Sequence, residues 1–454
     1  MLCSSPAELC LPLCTCDDRR CRYVEIEEET GAELFYYFAE SERSPSTDPL
    51  LLWLAGGPRC SVFSALVFEI GPFKFVVEPY DGTLPRLIYN PYSWTQMASI
   101  LFLDSPIGSG FSYARDPKAY EVGDISSSRQ WFDDHPKYFL DRPFYIGGDS
   151  YAGKVVPLIA HYISEVGNPI TGDKIDTNSK VTFSHSFGII SNQQYEAFVQ
   201  NCKGEYLNPA NEPCADVVQT ISKLMSEVTE GDILRPICHI PSGKRRSTLE
   251  GVSSLAEKHH DYHLTGAPDE PPFDCFYEYR YYLSYFWAND NAVRAALGIK
   301  EGTMVEWIRC RRPPILPYAP DLPSSIKYFF NLSTRGYRTL VYRNDKFTQP
   351  EGLFESTTIR LCFIISYKFL FWCSGDHDLV VPFTGTQTWI GSFNFSIVDD
   401  WRAWHLDNQA AGFTITYATN LTFATIKGGS HIPPETNPKE SFTMAKRWLD
   451  NEPL

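Results

Sequence analysis

The amino-acid sequence predicts an α/β fold with a central, mostly parallel sheet and a helical cap insertion. Short, continuous apolar runs occur at residues 49–54, 99–103 and 144–146, and Gly, Asp or Ser follows each run closely. Such runs are typical of strands covered on both faces, as in parallel sheets. Between residues 202 and 323 the pattern changes to amphipathic helical stretches and aromatic clusters, which indicates the cap.

Hydrophobic periodicity predicts the remaining elements. Alternating patterns near the N-terminus indicate a pair of antiparallel strands, and apolar residues spaced along one face indicate helices. These elements are, in chain order, strands at 23–27 and 32–38, helices at 127–132, 154–165, 215–228 and 292–297, strands at 337–342, 361–373 and 421–426, and a helix at 439–449.

We therefore divide the chain into one structural domain with a cap. Residues 1–22 are an atypical N-terminal segment, residues 23–201 and 324–454 are the two halves of the core, and residues 202–323 are the cap. A length of 454 residues also allows about two to four smaller domains. The return of strand-like runs after residue 323 favours one interrupted core.

The composition argues against several classes of protein. The formal charge of −15 and the pI near 5.2 oppose nucleic acid or an anionic membrane as the main partner. No apolar window reaches about 18 residues, so we expect no membrane span. Zinc-type cysteine spacings and Gly-rich phosphate loops are absent from the sequence, so we expect no metal and no cofactor. The sequence does not indicate an oligomeric state.

Thirteen cysteines and three glycosylation sequons predict a protein of the secretory pathway. The sequons begin at Asn331, Asn394 and Asn420. The N-terminal residues lack the basic region and the uninterrupted apolar stretch of a signal peptide. We expect the vacuole or the extracellular space, with no evident signal peptide in this sequence.

The most informative motif lies at residues 144–153. An apolar strand leads into Gly148-Asp-Ser150-Tyr-Ala152, and an apolar helix follows. This is the context of a nucleophile elbow, in which a tight turn between strand and helix lifts a Ser hydroxyl clear of the sheet. The alternative interpretation is a loop rich in Gly and Ser that has no chemical role.

A Ser nucleophile needs a base and an acid that orients the base. Asp376 and Asp378 both follow a strand-like run, and we prefer Asp378 because it directly precedes the apolar run 379–381. His431 lies in a Gly-rich loop after another strand-like run. The chain order Ser, Asp, His is that of the α/β hydrolases, and it favours an acyl-transfer active site.

Two glycines follow the first apolar run. Gly56 and Gly57 present backbone N–H groups without side chains in the way, which is what an oxyanion hole requires. We expect Gly57 and Tyr151, the residue after the nucleophile, to provide the two donors. The alternative is a plain turn.

Together these motifs resemble the serine carboxypeptidase-like family of α/β hydrolases, and most closely its plant acyltransferase branch, which acts in secondary metabolism. The resemblance implies that Ser150 is the nucleophile, His431 the general base and acid, and Asp378 the residue that orients His431. It also matches Gly57 and Tyr151 to the oxyanion donors of the family. The match runs from about residue 23 to residue 449, and the stretches that carry it are 51–61, 102–113, 148–154, 374–382 and 428–431.

The resemblance implies that Ala55, Gly56 and Asp149 bind the substrate, and positions 55 and 149 separate the peptidases of this family from its acyltransferases. The peptidases hold the terminal carboxylate of a peptide with an Asn, where this chain has Ala55, and with a Glu, where it has Asp149. Ala55 cannot donate a hydrogen bond, and Asp at position 149 resembles the acyltransferases. The resemblance therefore implies transfer of an acyl group from a glucose ester to an acceptor alcohol or amine. A carboxypeptidase that acts on peptide C-termini is one alternative, and an inactive or misfolded relative is another.

The resemblance also implies three disulfides, which would use six of the thirteen cysteines. One of them would tether the cap close to the predicted oxyanion loop. The implied pairs are Cys60 with Cys310, Cys202 with Cys214, and Cys238 with Cys275.

The chain departs from the family pattern in its N-terminal segment and at one position of the predicted oxyanion loop. Residues 1–22 replace the signal peptide and the first turn of the family. Arg59 stands where the family has Gly. If that position needs a positive φ, Arg is strained there, and we expect its charged side chain near the mouth of the pocket.

Two further departures concern the sheet. A basic loop and a core strand that follow the helix at 154–165 in the family are missing here, and only residues 180–183 are available as a substitute strand. A lost central strand would leave its neighbours unpaired. An extra stretch at 343–371 also follows the strand at 337–342, so that two strand-like runs compete for the position before Asp378.

Overall fold

The structure, a computed structural model, describes residues 21–132, 143–164, 173–239, 267–342, 367–373 and 377–454. The strands are β1 (Cys21–Glu27), β2 (Ala32–Ala39), β3 (Leu50–Leu54), β4 (Phe73–Phe75), β5 (Leu87–Tyr89), β6 (Ser99–Asp104), β7 (Val122–Gly123), β8 (Phe144–Asp149), β9 (Tyr318–Ala319), β10 (Arg338–Tyr342), β11 (Tyr367–Cys373), β12 (Ile397–Leu406), β13 (Gln409–Tyr417) and β14 (Leu421–Ala424). The helices are α1 (Asp124–Phe132), α2 (Ala152–Ser164), α3 (Asp173–Ser186), α4 (Asn192–Cys202), α5 (Glu212–Met225), α6 (Phe276–Asn289), α7 (Asn291–Ala296), α8 (Ile326–Thr334), α9 (Phe383–Gly391), α10 (Pro433–Thr436) and α11 (Pro438–Leu449).

Ten of the described strands form one sheet, in the order β1-β2-β6-β3-β8-β11-β10-β14-β13-β12. The six strands from β6 to β14 in this order are parallel, and antiparallel strands flank them on both sides. This confirms the predicted α/β fold with a mostly parallel sheet. Because the central strands are parallel, the carboxyl ends of β3, β8 and β14 lie at the same edge. The loops predicted to carry the site start from these ends.

The apolar run of β3 is continuous because both faces of the sheet are covered. Leu51 and Trp53 belong to the core cluster on one face, whereas Leu52 and Leu54 belong to the cluster on the other. The first cluster includes aromatic residues of helix α6, from the predicted cap. The second includes apolar residues of α2, α8 and α9. The division into a core and a cap at residues 202–323 stays a prediction.

The expectation of a substitute strand at residues 180–183 was wrong. These residues lie within helix α3, and Lys180, Val181, Phe183 and Ser184 are buried whereas Thr182 is exposed. Burial at positions i, i+1, i+3 and i+4 follows the period of a helix, not the alternation of a strand. Val181 and Phe183 pack in a cluster with residues of helix α9.

Both competing strand-like runs lie in the sheet. Strand β11 pairs in parallel with β8 on one side and with β10 on the other, so that Leu370 lies opposite Ile146 and Phe371 opposite Leu340. A strand from the predicted extra stretch therefore fills the position between β8 and β10, and these two strands are not left unpaired. Residues 343–366 lie outside the described residues, as does most of the N-terminal segment 1–22, of which residues 21 and 22 belong to β1.

Three disulfides join the cysteines that the resemblance paired. Cys60 and Cys310 connect the loop after β3 with the end of the predicted cap, and the backbones beside them exchange hydrogen bonds. The pairs Cys202–Cys214 and Cys238–Cys275 lie within residues 202–323. Among the described helices, none has the length and apolar character needed to span a membrane.

We expect loss of the Cys60–Cys310 disulfide to destabilise the protein more than loss of Cys202–Cys214. The two disulfides close loops of 250 and 12 residues. The chain-entropy description gives stabilisations of about 5 and about 3 kcal/mol for such loops. Urea unfolding of the Cys60→Ala/Cys310→Ala variant, compared with Cys202→Ala/Cys214→Ala as the matched control, measures the difference. Equal losses of the free energy of unfolding would contradict the expectation.

Candidate active site

The turn between β8 and α2 has the geometry of a nucleophile elbow. Ser150 lies between the last residue of the strand and the first of the helix, and its φ of 50° is positive. A Cβ on Gly148 would lie 2.5 Å from the carbonyl oxygen of Leu54 and 2.6 Å from the Cβ of Ala152. Strand β3 and helix α2 therefore approach the turn so closely that position 148 accepts only Gly.

The structure brings Ser150, His431 and Asp378 into one hydrogen-bonded chain. The Nε2 of His431 lies 2.7 Å from the Oγ of Ser150, and the Nδ1 lies 2.8 Å from the Oδ2 of Asp378. Asp378 is fully buried, and its Oδ1 accepts hydrogen bonds from the backbone N–H groups of Val380 and Val381. The carboxylate is thereby fixed on both oxygens. Asp376, the other acid considered from the sequence, lies outside the described residues.

A segment of the predicted cap binds the loops that carry the acid and the histidine. The backbone N–H groups of Leu379 and His431 donate to the carbonyl oxygens of Glu230 and Gly231, at 2.8 and 2.7 Å. The N–H of Ile233 donates to the carbonyl of His377 at 2.9 Å. Because these contacts involve only backbone atoms, the sequence contained no signal for them.

The glycines after β3 lie against the elbow. A Cβ on Gly56 would lie 2.7 Å from the Cβ of Ser150 and 3.0 Å from the backbone nitrogen of Tyr151. Gly57 has a φ of 122°, which favours Gly. The loop that carries Gly57 is thus held beside the N–H of Tyr151, as the predicted pair of oxyanion donors requires.

Arg59 has a positive φ of 65°, as expected if this position is strained, but the expectation for its side chain was wrong. The side chain is 1% exposed, so its charge is buried inside the protein and does not reach a solvent-exposed pocket mouth. Its guanidinium donates hydrogen bonds to the carbonyl oxygens of Ile107, Tyr120 and Pro317. Burial lowers the pKa of Arg59 to about 10. The three carbonyls satisfy a cation that would otherwise be costly to bury.

A second buried acid lies close to Asp149, and sequence reasoning missed it. Glu69 and Asp149 are 3% and 4% exposed. Burial, together with the negative charge of its neighbours, raises the pKa of Glu69 well above its usual range, and burial raises the pKa of Asp149 to about 6. Within the described part of the chain, the Oε2 of Glu69 and the Oδ1 of Asp149 have no hydrogen-bond partner. An acid inside the apolar run 65–70 was the available signal.

The remaining predicted positions are placed as follows. Ala55 is half-buried and packs against a core cluster. Asn394 and Asn420 are exposed, whereas Asn331 is half-buried on α8, and glycosylation of the three stays a prediction.

The sulfur atoms of Cys238 and Cys275 lie near a carboxylate oxygen of Glu278. Because the two sulfurs form a disulfide, they are not thiolate ligands for a metal.

The raised pKa of Asp149 predicts a pH-dependent effect of Asp149→Asn. An acid whose pKa rises on folding, here from 3.8 to about 6, costs stability when it ionises. The variant should match the wild type below pH 3.8 and become more stable above it, by at most about 3 kcal/mol at neutral pH. Unfolding titrations from pH 4 to pH 7 measure this gain.

The exposed Asp81 provides a control, because its substitution should change stability with pH in the direction opposite to that of Asp149→Asn. Hydrogen bonds from Thr83 lower the pKa of Asp81, so Asp81→Asn should lose a little stability as the pH rises. A stability difference for Asp149→Asn that does not change with pH would contradict the ionisation of a buried carboxyl.

The family model of serine carboxypeptidases matches residues 18–349 and 363–451. The unmatched residues 350–362 lie inside the stretch 343–371 that the sequence analysis identified as extra. Serine carboxypeptidase-like 17 from Arabidopsis thaliana is 38% identical over 457 residues, which cover 95% of this chain and 89% of the relative. Serine carboxypeptidase-like 19 from the same plant is 39% identical over 468 residues, with 95% and 90% covered.

Among solved structures, a prohormone-processing carboxypeptidase from Saccharomyces cerevisiae superposes with a TM-score of 0.61 at 17% identity. The superposition covers 95% of this chain and 90% of the yeast chain. At this identity the likeness concerns the fold alone, and it confirms the predicted α/β-hydrolase fold. By the family model and the plant relatives, the chain belongs to the peptidase S10 family of serine carboxypeptidases.

Proposed function

We propose that this serine hydrolase-type enzyme is an acyltransferase that moves an acyl group from a glucose ester to an acceptor alcohol or amine. The observation that carries the acyl-transfer chemistry is the hydrogen-bonded chain of Ser150, His431 and Asp378 at the elbow. A Ser hydroxyl held 2.7 Å from an imidazole nitrogen can lose its proton as it attacks a carbonyl carbon.

The reaction proceeds in two halves. His431 takes the proton of Ser150 through Nε2, and the Oγ attacks the acyl carbon of the donor. The tetrahedral intermediate collapses, His431 protonates the departing glucose oxygen, and an acyl-Ser150 ester remains. His431 then takes a proton from the acceptor, whose oxygen or nitrogen attacks the ester carbon. When this second intermediate collapses, His431 returns the proton to the Oγ of Ser150, and the acylated acceptor leaves.

The neighbouring groups support the charged species of this sequence. Asp378 accepts the Nδ1–H of His431 and stabilises the imidazolium that forms in each half. The N–H groups of Tyr151 and Gly57 would bind the negative oxygen of each tetrahedral intermediate. Because Asp378 is fully buried, its interaction with His431 is weakly screened by water.

The substrate side of the site favours a sugar ester over a peptide. At position 55 the methyl group of Ala offers no hydrogen bond to a terminal carboxylate. Asp149 has a side chain one methylene shorter than the Glu of the family's peptidases, so its carboxyl group lies in a different position from that of the Glu. The loss of one charge-assisted hydrogen bond costs roughly 1.5–3 kcal/mol.

A serine carboxypeptidase is the second candidate, because of the buried pair Glu69 and Asp149. Burial raises the pKa of Asp149 to about 6, so this acid gains a proton at mildly acidic pH. A protonated carboxyl group donates a hydrogen bond and can bind the carboxylate of a peptide C-terminus. The third reading, an inactive or misfolded relative, rested on a missing strand, and the continuous pairing from β8 through β11 to β10 removes that reason.

The three disulfides support a protein of an oxidising compartment. We propose the secretory pathway, with the vacuole or the extracellular space as destination. The exposed positions of Asn394 and Asn420 are compatible with glycosylation there.

A fluorophosphonate probe should label Ser150. The probe needs an activated Ser and an oxyanion hole but makes no assumption about donor or acceptor. We expect no label in Ser150→Ala and a labelling rate at least about 10³-fold lower in His431→Gln. His405→Gln, at an exposed position of β12, is the matched control and should react like the wild type. A folded wild type that is not labelled would contradict the triad.

The donor class is tested by supplying both kinds of substrate to the wild type and to the variant Ala55→Asn/Asp149→Glu. We expect the wild type to transfer acyl groups from a glucose ester and to release C-terminal amino acids slowly. The variant regains one hydrogen-bond donor, which should raise the peptidase value of kcat/KM by about tenfold or more. Efficient release of amino acids by the wild type, without transfer from a glucose ester, would instead establish the peptidase.

A further inference from the structure

A fully buried carboxylate links the residue after the nucleophile to the end of the predicted cap. Asp124 is the first residue of α1, and its Oδ1 accepts hydrogen bonds from the hydroxyl groups of Tyr151 and Tyr318, both at 2.8 Å. Its Oδ2 accepts the backbone N–H of Leu322 at 3.0 Å. The rings of Tyr151 and Tyr318 also meet edge to face, with centroids 5.8 Å apart.

The segment that includes Tyr318 also binds the other side of the oxyanion hole. Arg59, two residues after Gly57, donates to the carbonyl oxygen of Pro317, and its guanidinium lies 5.8 Å from the centre of the Tyr318 ring. Tyr318 is itself the first residue of β9, which pairs with β7, and β7 directly precedes Asp124. The two loops that would supply the oxyanion donors are thus connected through one polar network.

We infer that Asp124 is a positioning residue for the oxyanion hole, which acts by fixing Tyr151 directly and the loop of Gly57 through Tyr318 and Arg59. This inference rests on the proposed acyl-transfer function. The carboxylate oxygens of Asp124 bond to Tyr151, Tyr318 and Leu322, so Asp124 acts on the oxyanion hole through the two tyrosines.

The conformation of the elbow explains why such a restraint matters. Ser150 has a positive φ, a conformation that residues other than Gly rarely adopt. Relaxation of this turn would rotate the peptide between Ser150 and Tyr151, and with it the N–H that is to bind the oxyanion. The hydroxyl of Tyr151, anchored on a buried carboxylate, holds the residue from its far end. Displacement of an oxyanion donor lowers the rate even when nucleophile and base are intact.

The test compares variants that each remove one hydroxyl group from the network. Tyr151→Phe and Tyr318→Phe, alone and combined, leave the triad residues unchanged. Tyr113→Phe is the matched control, because the hydroxyl of Tyr113 also donates to a carboxylate, that of Glu33, at 2.7 Å. The readouts are the rate of fluorophosphonate labelling at Ser150 over a range of probe concentrations, its pH profile and the thermal unfolding midpoint.

We expect the maximal labelling rate of Tyr151→Phe to fall by about tenfold, less than the 10²–10³-fold loss of a whole donor. The half-saturating probe concentration and the shape of the pH profile should stay as in the wild type, because the contacts between His431 and Asp378 are intact. The maximal labelling rate of Tyr318→Phe should fall less than that of Tyr151→Phe. The fold-loss of rate in the double variant should be smaller than the product of the two single fold-losses, because both hydroxyl groups act on Asp124.

Two results would overturn the role of Asp124 and leave the proposed triad untouched. One is labelling of Tyr151→Phe at the rate of the wild type. The other is a rate that falls only in proportion to the folded fraction, with the same fall in Tyr113→Phe. A folded wild type that is not labelled at all would overturn the proposed triad, and this inference with it.

Discussion

The close approach of β3, β8 and α2 at the elbow is the constraint on which the rest of the site depends. Gly148 has the carbonyl of Leu54 on one side and Ala152 on the other, and no side chain fits between them. Gly56 meets the same turn from the loop after β3. Between these close contacts Ser150 has a positive φ, and the turn presents its hydroxyl at the carboxyl edge of the sheet.

The sheet and residues 230–233 bring the distant partners to that hydroxyl. Asp378 follows β11 and His431 follows β14, and parallel pairing places the carboxyl ends of both strands at the edge that carries Ser150. The backbone carbonyls of Glu230 and Gly231 then fix the two loops. The geometry of the triad thus depends on residues 230–233 as well as on the core. The Cys60–Cys310 disulfide joins the predicted cap to the predicted oxyanion loop.

Local patterns were sufficient to predict that Ser150, Asp378 and His431 come together, and insufficient to predict what surrounds them. Ser150, Asp378 and His431 each follow a strand-like run, a signal contained in a few neighbouring residues. The backbone contacts of Gly231 leave no such signal, and the hydroxyl groups that meet at Asp124 come from residues far apart in the chain. Residues 180–183 were misread because four residues cannot distinguish a strand from one turn of a buried helix.

The electrostatics of the pocket connect its pH dependence with the choice of substrate. With a pKa of about 6, Asp149 is mostly negative at neutral pH, and it lies buried close to Glu69. A peptide bound by its C-terminus would add another carboxylate to this pair, and like charges in a poorly screened site repel strongly. A glucose ester is uncharged at the sugar and avoids that repulsion. Under the proposed function, protonation of Asp149 at acidic pH would remove this obstacle, so the site would discriminate against a peptide most strongly at neutral pH.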